Sequence, residues 1–215
     1  MARYTREPIN GFTHLFGAIL SFAGLLILVI KTTLKNPSPV ALTAVIIFGI
    51  SLILLYSASA TYHLVMAKEN TIKFLRRLDH SMIFILIAGS YAPFCLISLN
   101  GFKGWILFGI EILIAILGVS FKLIWFESPR WISTLIYVIM GWGAIFLIVP
   151  LYKSLSTMGL MLLVGGGVFY TIGAIIYGTK PKFLKLKNLE FHEIFHIFIL
   201  LGSLCQYLCV LLYVI

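Results

Sequence analysis

The stretch His192–Val214, HEIFHIFILLGSLCQYLCVLLYV, carries no Asp, Glu, Lys or Arg after Glu193. A helix rises about 1.5 Å per residue, so a run of this length covers the roughly 30 Å hydrocarbon core of a bilayer. It is read as a transmembrane helix. Its first turns hold His192 and His196, four residues apart and so on one face, one turn from each other. A divalent transition metal can bridge that spacing. Ionisable groups inside a membrane span are costly and usually functional. The stretch therefore sets the fold class and poses a chemical question: whether another span supplies a third ligand at the same depth.

Outward from this span, six more apolar runs reach the roughly 20 residues that a crossing needs. They are Phe12–Ile30, Val40–Met66, Leu78–Leu99, Trp105–Ile124, Trp131–Tyr152 and Met158–Tyr177. Hydrophobic residues make up 61% of the 215 and charged ones 11%, with a mean hydropathy of +1.08, which excludes a soluble domain. The expected fold is all-α, a seven-transmembrane-helix bundle made by a single domain over residues 1–215. Any site then lies in the bundle or at its rims. The start, Met1–Pro8, shows no small-residue cleavage site, so the first span is expected to be an uncleaved signal anchor. Cys95, Cys205 and Cys209 all fall inside apolar spans and read as small buried residues rather than a disulfide framework. Gly165–Gly167 and the Gly141/Gly143 pair suit close helix approach. Pro93 is expected to kink the third span and free a carbonyl that Ser90 or a neighbouring helix can satisfy.

The net charge of +9 is a matter of loops, not of a nucleic-acid surface. Arg3, Arg6, Lys68, Lys73, Arg76, Arg77, Lys122, Arg130, Lys180, Lys182, Lys185 and Lys187 fall on the side of the N-terminus; Lys31, Lys35, Lys103 and Lys153 fall on the other. That asymmetry puts the N-terminus in the cytoplasm and, after seven spans, the C-terminus outside. The loops Lys68–Arg77 and Lys180–Glu190 are then cytoplasmic, placed to meet anionic lipid headgroups or simply to fix the topology. The expected partners are membrane lipids, with no nucleic acid and no protein partner implied. The expected location is the inner, or plasma, membrane.

The rare polar residues converge by depth. His63 lies near the cytoplasmic end of the second span, Asp79 at the cytoplasmic start of the third, and His192 and His196 in the first two turns of the seventh. Three neutral imidazoles suit zinc at about 2.0–2.1 Å with a fourth position left open. Asp79 either binds the metal, holds a water and takes its proton, or caps its helix and pairs with Arg76 or Arg77. Ser59, one turn before His63, faces the same way; it either contacts water or substrate or bonds back to its own helix. His80 points about 100° from Asp79 and suits packing or a headgroup contact. Glu7, Asn10 and His14 share one face, forming either a second polar layer below the metal or a helix cap after Pro8.

Glu7-Pro8-Ile9-Asn10-Gly11-Phe12-Thr13-His14, Ser59-Ala60-Thr61-Tyr62-His63, Leu78-Asp79-His80-Ser81 and His192-Glu193-Ile194-Phe195-His196 follow one another in the order and spacing of a known family. Over essentially its whole length the chain resembles the hemolysin III family, the bacterial branch of the progestin and adipoQ receptor superfamily. The adiponectin-receptor branch implies zinc held by His63, His192 and His196, with Asp79 orienting a water and Ser59 beside them. A distant relation to alkaline ceramidases implies metal-dependent hydrolysis of a lipid amide. The long cytoplasmic N-terminal region of the animal receptors has no counterpart here, so a receptor role is not carried over.

The resulting expectation is a membrane zinc protein that hydrolyses a lipid amide or ester at the cytoplasmic leaflet, where a lipid's polar linkage lies. Its alternatives are a non-enzymatic regulator of membrane homeostasis or a cytolytic protein, either with structural zinc. Against cytolysis, the spans have few charges with which to line a pore. His192-Glu193-x-x-His196 also matches the metalloprotease pattern, in which Glu193 would be the general base. The resemblance needs only the two histidines.

Overall fold

A computed structural model describes residues 5–35, 37–181 and 189–215. Arg3, Lys182, Lys185 and Lys187, which enter the charge asymmetry, lie outside the described residues. The apolar runs wind into α1 (Pro8–Lys35), α2 (Pro39–Leu64), α3 (Glu69–Pro93), α4 (Phe102–Ile124), α5 (Arg130–Gly141), α6 (Ile148–Ser154), α7 (Thr157–Thr179) and α8 (Phe191–Cys209). Their starts carry recognisable signals. Pro8 and Pro39 open α1 and α2 where a missing N–H costs nothing. Ser156 Oγ accepts from Gly159 N at 3.1 Å to cap α7. Glu190 and Glu193 close a reciprocal capping box at the start of α8.

Two elements depart from the expected spans. α3 begins at Glu69 rather than Leu78, its first turns braced by the Glu69–Lys73 ion pair at 2.7 Å. It runs through Pro93 and relaxes into the wider winding of a π-helix over Phe94–Ser98. Ser90 Oγ donates to Ile87 O at 2.7 Å, one turn back in its own helix. The expected span Trp131–Tyr152 is broken: a 3₁₀ segment at Gly143–Leu147 separates α5 from α6, with a bend of 60°. Two glycines flank Trp142, and Pro150 has no N–H to return to the carbonyl four residues back, so an unbroken helix is disfavoured through this stretch. The Tyr91 phenol stitches the break. Its hydroxyl lies 2.8 Å from Met140 O and 2.9 Å from Gly141 O as donor, and accepts from Ala144 N at 2.9 Å.

Six helices are long and apolar enough to cross a membrane, or seven when the bent α5–α6 pair is taken as one span. The pair starts beside the end of α7 and finishes where α7 begins. Arg130, at the start of α5, lies over the Tyr177 ring near the end of α7, at 5.5 Å. Leu151 and Leu155 belong to the same buried apolar cluster as Cys209 and Val210. The bundle is turned inside out relative to a soluble protein. Phe16, Ile19, Leu20 and Phe22 along α1 are exposed, whereas His14, Ser59, His63 and His196 are buried. Outward apolar side chains meet lipid and inward polar ones meet each other. The protein is a multi-pass membrane protein.

Candidate metal centre and its cavity

The site is assembled where α1 begins, α2 ends and α8 begins. α1 starts immediately after Glu7, whose carbonyl accepts from Gly11 N at 3.0 Å. The Glu7 N–H donates to His63 O at 2.9 Å, satisfying one of the carbonyls that the last turn of α2 leaves unpaired. The Glu7 carboxylate then takes the His63 ring: Nδ1 lies 2.6 Å from Oε2. That hydrogen bond, ahead of the nearby Arg6 guanidinium, holds the Glu7 carboxyl down at about 2. An ionised Glu7 can only accept, so Nδ1 carries the His63 proton and Nε2 presents its lone pair inward. His63 Nε2 is buried without a partner, as is His196 Nδ1.

The ligand atoms of His63, His192 and His196 all lie within 4.8 Å of one another. Tetrahedral zinc with ligands at about 2.0–2.1 Å would need them roughly 3.3–3.4 Å apart. The donor set fits a metal of the zinc type: imidazoles with lone pairs unspent, one of them backed by a carboxylate. The capping box of α8 fixes its first turn and so aims His192 and His196 at α2. Ring centroids are 5.1 Å from His63 to His192 and 5.0 Å from His63 to His196.

Asp79 and Ser59 stand beside this cluster rather than in it. Both line a cavity that also takes in His192 and His196. Asp79 makes no ion pair with Arg76 or Arg77 among the described residues; its ion contact is with His80, at 3.9 Å. Ser59 Oγ is buried and unpartnered, so it does not bond back to its own helix. Glu193 is fully engaged elsewhere. One carboxylate oxygen accepts from Asn10 at 3.0 Å and the other from Glu190 N at 2.8 Å, as a cap and not as a base aimed at the histidines. His80 packs, with Nδ1 at 2.7 Å from Arg76 O and Nε2 at 2.9 Å from the Tyr177 hydroxyl.

Glu7, Asn10 and His14 form the second polar layer. Asn10 links Glu7 to Glu193, and His14 stacks on His196 with centroids 3.7 Å apart and planes at 8°. Spacing along the chain shows that the three share a face; it does not show that Glu7 grips His63, a contact between residues 56 positions apart. Glu111 in the middle of α4 belongs to none of the motifs. It is 2% exposed, with Oε2 unpartnered, and a single acid in an apolar run was the available signal.

From the cluster the cavity runs inward between α3, α5, α7 and α8 past Ile87, Tyr91, Val138, Ala174 and Ile199 to Gln206. Its walls are overwhelmingly apolar. Histidines and Asp79 at one end and a greasy tunnel beyond make a site shaped for an amphiphile with its polar linkage at the cluster.

A family described as Haemolysin-III related matches residues 2–207. Among curated proteins, "Hemolysin-3" of Bacillus cereus is 41% identical over 216 aligned residues, covering 100% of this chain and 94% of the relative. "Hemolysin-3 homolog" of Bacillus subtilis (strain 168) is 38% identical over 208 residues, covering 96% of this chain and 93% of the relative.

Proposed function

This chain belongs to the haemolysin III family, and on that footing we propose that it is a zinc-dependent hydrolase of a lipid amide or ester, acting as one seven-helix unit in the plasma membrane. His63, His192 and His196 hold the metal. Bound zinc would polarise the scissile carbonyl and make water a stronger acid. Asp79 orients that water and accepts its proton, and the Ser59 hydroxyl hydrogen-bonds the substrate's linkage. The observation that carries this reading is the apolar cavity opening directly from the imidazole cluster, with Asp79 and Ser59 on its wall. The excess of basic residues at the histidine end supports a cytoplasmic placement, at the leaflet depth of a lipid's linkage.

Metal content by mass spectrometry on detergent-purified protein tests it first. About one zinc per chain is expected in wild type and in Asp79→Asn, and loss in His63→Ala and His196→Ala. Hydrolysis of a long-chain ceramide by wild type but not by Asp79→Asn then completes the case. Zinc without turnover points to a metal that braces α2 against α8 in a regulator of membrane state. The relatives' names would carry membrane lysis to this chain. Apolar faces turned to lipid around an apolar cavity favour lipid handling over a water-filled pore.

A further inference from the structure

At the histidine end of the bundle, beside the cavity, cations gather around Phe126. Phe126, in the turn between α4 and α5, has Arg76 Cζ at 5.1 Å, Arg77 Cζ at 5.7 Å and Lys122 Nζ at 5.8 Å from its ring centroid. Arg130 joins them through Tyr177, whose hydroxyl bonds His80, which in turn meets the edge of Phe126 at 5.6 Å. Arg76 and Lys122 lie close enough to act on each other as like charges. The nearby acids do not answer them: among the described residues neither Asp79 nor the exposed Glu127 makes an ion pair with Arg76, Arg77, Lys122 or Arg130.

Lys122 makes this more than a basic rim. It is 3% exposed, and its one hydrogen bond among the described residues is to Ser128 Oγ, at 3.4 Å. A buried ammonium held by one long neutral hydrogen bond and crowded by a guanidinium is electrostatically incomplete. Exposure rises outward from it, through half-buried Arg76 and Arg130 to exposed Arg77. Fork-shaped guanidinium donors beside an ammonium suit a phosphate oxyanion.

We propose that Lys122, Arg76, Arg77 and Arg130 form a phosphate-binding site at the rim of the bundle, taking the headgroup phosphate of an anionic membrane lipid beside the end of the cavity that Asp79 and His80 line. The site is independent of turnover at the imidazole cluster. Binding fixes the protein's depth and offers the cavity a lipid already held by its headgroup.

The test uses full-length protein in lipid-free detergent, titrated with dioleoylphosphatidylglycerol, dioleoylphosphatidylcholine or inorganic phosphate and followed by native mass spectrometry and thermal unfolding. Wild type should bind phosphatidylglycerol saturably, in preference to phosphatidylcholine, and melt higher with it. Lys122→Met should weaken that binding by about tenfold or more. Without lipid it should melt higher than wild type, because its uncompensated charge is gone. Arg76→Gln/Arg130→Gln, on the half-buried rim, should lose the same binding and does not depend on how Lys122→Met folds. Inorganic phosphate that stabilises wild type but not Lys122→Met, with no response to phosphatidylglycerol, would sustain the phosphate site and assign it to the free ion. Phosphatidylglycerol binding unchanged in both variants, or no response to either probe in wild type, overturns the proposal. Zinc content measured on the same samples reports the histidine cluster separately.

Discussion

Glu7 holds His63 at two points, by its backbone N–H on the carbonyl and by its carboxylate on Nδ1. A carboxylate behind a ligating imidazole fixes its tautomer and raises its basicity. Glu7→Gln keeps the shape but loses the obligate acceptor, so metal affinity should fall about 10–100-fold, with full occupancy recovered at higher metal. Chelator competition measures this; unchanged affinity would remove Glu7 from the site. Glu193 is the opposite case. Its oxygens serve a cap and Asn10, so Glu193→Gln should keep its metal and lose about 0.5–2 kcal/mol of helix stability, read as a lowered melting temperature. Loss of all activity in that variant with its metal retained would restore the protease-like role. His63, His192 and His196 were legible in the sequence because histidine is rare in apolar spans and three fall at one depth. Glu7's role was not, since its partner lies at the far end of α2 and only the fold brings the two together.

Helices were legible from apolar runs alone, and their interruptions were not. The α5–α6 break sits in a run whose hydropathy reads as one span, because hydropathy scores side chains whereas the break is a matter of backbone partners. Gly141, Gly143 and Pro150 were the local signals, and Tyr91 on α3 supplies the hydrogen bonds that make the break tolerable in lipid. Gly143 is required for a second reason. A Cβ there would stand 2.7 Å from Glu111 Oε1 and 3.3 Å from the Tyr91 hydroxyl. Gly143→Ala should therefore cost about 1–3 kcal/mol through overpacking. Tyr91→Phe should cost a similar amount, about 1–3 kcal/mol, by stranding backbone groups in an apolar setting. Thermal unfolding in detergent checks both, and wild-type melting in Gly143→Ala would show that the break yields without strain. Of the glycine run, Gly166 alone makes a close approach, against Gln206 and Gly202 of α8; Gly165 and Gly167 have nothing within 4 Å.

Across the whole molecule, polar groups collect at one end of an apolar cavity, and that end is also the basic end. The first half of this statement separates metal from substrate. Ala174 lines the tunnel and is not one of the ligands, so Ala174→Phe should leave zinc content at the wild-type level while abolishing turnover of long-chain substrates. Equal turnover would mean that the cavity does not take the chain. The second half sets orientation. Arg6 precedes α1, Arg76 and Arg77 lie in the first turns of α3, Lys122 in the last turn of α4, and Arg130 opens α5; each is at the histidine end. Lys31 donates to Leu211 O at the opposite end, where α1 and α8 both finish. Basic loops resist translocation, so the histidine end should face the cytoplasm and the C-terminus the outside. Fusions at Ile215 decide this: an alkaline phosphatase fusion should be active and a green fluorescent protein fusion dark. The reverse pattern would move the candidate site to the outer leaflet, and with it the lipids it can meet.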